Sequence, residues 1–169
     1  AQVASTILKK GKGRRSIHSC RAALECINEV EDEETAQAVV RHVDACLYDE
    51  DHTAIQALLC LRRLLAGGSP ILIRYALKPN KSLLSFASER LDHGATHAAH
   101  VALRTATYAL VRGRDEDVRR CASTLVPLHT EALKTSFERC HLEALLVVAA
   151  RCDFTDVVDA FRYCEVLPL

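Results

Sequence analysis

The sequence predicts an all-α protein, a right-handed superhelix (solenoid) of about eight to nine short helices. Three observations carry that expectation. Apolar residues recur at helical spacing along most of the chain, while strand alternation is nearly absent. Helix starters and stoppers such as Asp32, Gly67-Gly68, Ser69-Pro70 and Gly113 cut the chain into short segments with short loops. Finally, "ALECINEV" at 23–30 is echoed by "ALLCLRRL" at 57–64 and, more weakly, by "ALRTATYA" at 102–109. The offsets, 34 and then 45 residues, are too uneven for a strict repeat. Helices laid side by side, as in armadillo or HEAT arrays, produce such an echo, and so does any globule with small Ala–Leu contacts between helices.

The elements follow in order. Ile17, Cys20, Leu24 and Ile27 mark one face of a first helix over Ser16 to about Glu29. Asp32 caps a second over Glu33–Leu47, with Ala38, Val39, His42, Val43 and Cys46 inward. After the charged break "YDEDH", a third runs from Thr53 to Ala66 and stops at Gly67-Gly68. Ser69-Pro70 opens a short helix over Ile71–Leu77, since proline suits a first helical turn. Lys78-Pro79-Asn80 forms a turn, followed by helices near Ser82–Leu91 and Thr96–Val111, the latter ending at Gly113. Asp115 opens a helix toward Leu125, with Pro127 as a break or kink. The last segments are Thr130–Cys152, one helix or two, and Thr155–Glu165.

A chain of 169 residues makes one domain, able to bury about two-thirds of its unfolded surface. Its charge is uneven. Residues 1–15 hold Lys9, Lys10, Lys12, Arg14 and Arg15 and no acid, so the neutral chain divides into a +5 arm and a −5 body. A body without a basic face argues against broad nucleic-acid binding. None of the eight cysteines forms Cys-x-x-Cys, and most lie among apolar residues, which fits buried reduced thiols in the cytosol. No run of 18 apolar residues occurs, and the start lacks an apolar signal-peptide core, so a cytoplasmic protein is expected.

Several chemical motifs are weighed and set aside. His93, His97 and His100 stand at i, i+4 and i+7, but Gly94 interrupts them and no carboxylate follows at helical spacing. Ordinary surface or half-buried imidazoles are the expectation, with no metal and no cofactor. Cys140 and His141 are neighbours on a helix and point apart, so they do not form a nucleophile–base pair. No phosphate loop, dinucleotide fingerprint or His-Glu-x-x-His is present, and no enzyme is expected. "DAF" at 159–161 has the Asp-x-Phe form bound by clathrin-adaptor appendages, although in an apolar helix Phe161 is expected to be core.

Five stretches in order then resemble the ANTH domain, the lipid-binding N-terminal domain of clathrin assembly proteins. They are "QALLCLRRLLAGGSPILIRYAL" with Arg62, Arg63, Leu64, Leu65, Gly68 and Pro70, "SLLSFASERL", "RTATYALVRGR" with Tyr108 and Leu110, "LVPLHTEALKTSFERC", and "DFTDVVDAFRYCEVLPL". The resemblance implies a phosphoinositide site where the family carries Lys-Ala-Thr and Lys-x-Lys-His. Here those places hold Val3-Ala4-Ser5 and Lys12, Arg14, Arg15 and Ser16, with His18 two residues on; Lys9 and Lys10 add charge. The implied site is therefore Lys9, Lys10, Lys12, Arg14, Arg15 and His18.

A helix N-terminus with adjacent Lys and Arg suits a phosphate headgroup. At about 1 kcal/mol per cation, five give roughly 5 kcal/mol, a transient sub-millimolar grip. The implied protein is a peripheral membrane adaptor of clathrin-mediated endocytosis or vesicle coats, binding phosphatidylinositol phosphates, coat proteins and cargo. Two other readings stand beside it: an armadillo/HEAT-like protein-interaction scaffold without lipid binding, and a helical-repeat RNA-binding protein. The latter needs basic residues recurring on inner helices, and beyond Arg62, Arg63, Arg104 and Arg112 these are sparse.

Overall fold

The computed structural model describes residues 17–77 and 82–152. Among them stand eight helices and no strand: α1 (Ile17–Cys26), α2 (Glu33–Leu47), α3 (Asp51–Ala66), α4 (Pro70–Ala76), α5 (Ser82–Asp92), α6 (Thr96–Arg112), α7 (Asp115–Thr135) and α8 (Arg139–Cys152). The all-α class is therefore as expected. The basic arm, the Lys78-Pro79-Asn80 turn and the segment Thr155–Glu165 lie outside the described residues.

Local chemistry sets most boundaries. Asp32 caps α2, its Oδ1 accepting from the Thr35 amide at 2.7 Å and its Oδ2 from the Thr35 hydroxyl at 2.8 Å. Ser69 accepts from the Leu72 amide at the start of α4, with Pro70 in the first turn. After α3, Gly68 takes the left-handed conformation at φ 76°, which a side chain would resist.

One expectation is corrected. Proline does not break the chain near Leu125, because α7 runs through Pro127 to Thr135. Its missing N–H leaves the Ser123 carbonyl without a helical donor, yet Ser123 and Pro127 are both exposed and water can serve instead. The real break comes at Ser136, whose extended backbone ends α7 and separates it from α8. A second correction concerns the thiols: Cys46 and Cys121 are buried, but Cys26 is exposed, and Cys60, Cys140 and Cys152 are only half-buried.

α1 packs on α2 and α2 on α3, and each helix from α5 to α7 packs on its successor, while α4 sits against α2 and α6. A longer-range series runs through them: α1 touches α3, α3 touches α6, and α6 touches α8. The sequence echo falls on this series. Its repeated Ala-Leu pair is Ala23-Leu24, Ala57-Leu58 and Ala102-Leu103, and all six side chains are buried. The small alanines let neighbouring helices approach closely while the leucines fill the space between them.

Two arginines lock the series from its rim. Arg63 of α3 donates to the carbonyls of Leu24, Glu25 and Ile27 at 2.8–3.2 Å, covering the open C-terminal end of α1. Arg151 of α8 does the same for α6, donating to Leu110, Val111 and Gly113. In both cases a cation meets the negative end of a helix dipole and satisfies carbonyls that lack intrahelical donors. The C-terminus of α3 is closed instead by the amides of Gly67 and Gly68, which donate to Leu64 and Leu65.

Candidate functional site

Of the residues expected to hold a phosphoinositide, Lys9, Lys10, Lys12, Arg14 and Arg15 lie outside the described residues. His18 falls in the first turn of α1. That turn, Ile-His-Ser-Cys, contains no acidic residue, and five cations precede it in the sequence.

The basic residues of the described body divide by what they touch. Arg63 is spent on helix carbonyls, and Arg104 forms a forked pair with Glu138, both contacts at 2.6 Å. Arg62 and Arg112 are different. Each places its guanidinium over the ring of Tyr108, at 5.6 and 3.8 Å from the centroid, and both are exposed. Among the described residues neither has a carboxylate within ion-pair distance. Leu59, 46% exposed, lies one turn before Arg62 on the same side of α3. The seam between α3 and α6 thus presents an aromatic ring, two unneutralised cations and an exposed leucine.

A second cluster lies deeper, where α6, α7 and α8 meet. His100, His129 and His141 are all buried, at 5% exposure or less. They form a chain: His100 Nδ1 lies 2.8 Å from His141 Nε2, and His141 Nδ1 lies 2.9 Å from His129 Nδ1. At the outer end, Thr135 Oγ1 is 3.4 Å from His100 Nε2; at the inner end, His129 Nε2 has no hydrogen-bond partner. One proton arrangement satisfies every N–H: His129 donates to His141, His141 to His100, and His100 to Thr135. The orphan at His129 is then a lone pair, cheaper to bury than an unsatisfied donor.

Burial chiefly, then the neighbouring imidazoles, holds His129 down to about 3 and His141 down to about 4. Burial also lowers His100, against the pull of Glu138. The Arg104 fork holds the Glu138 carboxyl down to about 2. Cys140 Sγ lies 3.6 Å from Glu138 Oε2 and 3.7 Å from His141 Nδ1. This corrects the expectation that the two neighbours point apart: at the start of α8 the thiol and the imidazole face each other. Burial and the Glu138 charge push the thiol up to about 11, so it is not an activated nucleophile at neutral pH.

The histidine trio read along α6 does not converge. His93 lies in the turn before α6, its Nδ1 at 2.7 Å from the Glu89 carbonyl, and His97 is exposed; only His100 turns inward. Its partners were hidden by sequence distance. A signal existed, however, since His129 follows Val118, Cys121 and Leu125 on one apolar stripe, and His141 precedes Ala144, Leu145 and Val148 on another.

A shallow cleft of about 570 Å³ between α5 and α7 is lined by Leu84, Ser88, Glu89, Ser123 and Leu128 among others. No helix of the described residues is long and apolar enough to cross a membrane. No family model, curated protein or solved structure matches the chain.

Proposed function

We propose that this chain is a protein-interaction scaffold, a right-handed superhelical stack that recognises an acidic segment of a partner through the α3–α6 seam. The observation that carries this reading is the Arg62–Tyr108–Arg112 stack, in which a half-buried ring lies under two exposed cations that have no carboxylate partner among the described residues. Tyrosine and arginine are the residues that anchor interfaces, and Leu59 adds apolar area beside them. The superhelical arrangement belongs to the same proposal, and the series of contacts α1–α3–α6–α8 supports it.

Selection from a displayed peptide library tests the reading. The wild-type chain is expected to enrich peptides with carboxylates beside an apolar residue. The double substitution Arg62→Glu and Arg112→Glu is expected to weaken them by at least about tenfold, because like charges then face each other. Both positions are exposed, so the fold should survive. Enrichment of the same peptides by the variant would remove the seam from consideration.

A second reading, the phosphoinositide-binding adaptor, is favoured by the five cations that precede an α1 turn without acid. Two sources of positive potential then adjoin, and an external phosphate can answer both. The clathrin-coat role rests on the resemblance to the ANTH domain. Co-sedimentation with vesicles of matched total charge, with and without phosphatidylinositol bisphosphate, distinguishes the cases. Headgroup-dependent pelleting, lost in Lys12→Ala/Arg14→Ala/Arg15→Ala, is the expected result. Pelleting that follows total charge alone would leave only a nonspecific basic arm.

A further inference from the structure

We infer that His100, Glu138 and His141 form a zinc site joining α6, the α7–α8 turn and α8. Their candidate ligand atoms lie within 4.8 Å of one another, although they come from separate parts of the sequence. Two imidazoles and a carboxylate are a donor set zinc accepts readily. Nothing in the superhelical reading requires such a site, and the seam on α3 and α6 does not share its residues.

Both imidazoles are buried, and the half-buried Glu138 is held in place by the Arg104 fork, both contacts at 2.6 Å. That fork does not consume the carboxylate, because its two oxygens offer about four lone-pair directions. The one proton to be displaced lies between His100 Nδ1 and His141 Nε2, now 2.8 Å apart. Two nitrogens on a tetrahedral zinc stand roughly 3.3 Å apart, so the rings must separate by about half an ångström and turn their lone pairs from each other toward the ion.

The surroundings also supply what ligand histidines require on their other nitrogens. His100 Nε2 faces Thr135 Oγ1, and His141 Nδ1 faces His129 Nδ1. Coordination has one cost here. With zinc on Nε2, the His141 proton moves to Nδ1 and is donated to His129. The His129 proton then sits on Nε2, which has no partner. An unsatisfied buried donor costs far less than coordination of zinc by three protein ligands contributes.

The test is zinc competition between the full chain and a chromophoric chelator, with circular dichroism to check folding. One ion per chain is expected. His141→Asn should abolish binding. Glu138→Gln, at a half-buried turn position and checked for folding in the same way, should weaken it by about tenfold or more even if His141→Asn fails to fold. His97→Ala and Cys140→Ser should retain it. Failure of the wild-type chain to compete, or undiminished binding by Glu138→Gln, would overturn the assignment.

Discussion

Acidification from pH 7 to 4 is expected to destabilise the metal-free chain by several kcal/mol, enough to unfold most of it. The cause is the buried imidazole chain. In the unfolded state each histidine titrates near 6.5, whereas in the folded state His141 titrates at about 4 and His129 at about 3. Between those values the unfolded chain binds more protons, so stability rises with pH and is lost as pH falls below about 6.5. At about 1.4 kcal/mol per pH unit per proton, each of these two imidazoles accounts for about 3 kcal/mol by pH 4. Whole-domain stabilities are about 5–15 kcal/mol, so two such losses are decisive.

Glu138 extends the loss in the same direction. Its carboxyl, held at about 2 by Arg104, stabilises the fold above the ordinary carboxylate range, and that contribution fades as pH falls from about 4.5 toward 2. The two effects separate by pH window. Urea unfolding measured at intervals from pH 7 to 5 reports the histidines before the carboxylate begins to matter. In His129→Leu the slope of stability against pH over that window should fall by about one proton. Parallel curves for wild type and variant would show that His129 does not carry the acid sensitivity.

The sequence made the all-α fold legible because its punctuation is local chemistry. Asp32, Gly68, Ser69 and Gly113 each act within one turn of their own position: α2 and α4 begin, and α3 and α6 end, close to where they indicate. Pro127 misled because its cost depends on whether the freed carbonyl meets water, which only the packed structure decides. The functional clusters were less legible for a related reason. Arg62 and Tyr108 are 46 residues apart, and His100 and His141 are 41 apart; each pair meets only because α6 lies beside both α3 and α8. Regular spacing offered His93, His97 and His100, a set already discounted because Gly94 interrupts it. Convergence required facing helices instead. What could be seen beforehand was a polar residue at a core position of each of three apolar stripes.

Leu103→Ala is expected to be the most damaging single core truncation on α6, costing about 3–4 kcal/mol. Leu103 is inaccessible to solvent, at 0% exposure. Its helix is the centre of the described body, packed against α3, α4, α5, α7 and α8. A cavity there cannot close by shifting one neighbour, because each neighbour is itself held by another helix, and the cost of truncation grows with the cavity that remains. Leu24→Ala, equally buried but on α1, which among the described helices packs chiefly on α2 and α3, should cost less, since α1 can move inward to fill the gap. Urea denaturation checks both, with an unchanged m value confirming that stability rather than compactness has altered. Equal losses at the two positions would mean that α1 is held as rigidly as α6. A loss at Leu103 below about 1 kcal/mol would contradict the central placement of α6, and with it the packing that brings Arg62 to Tyr108 and His100 to His141.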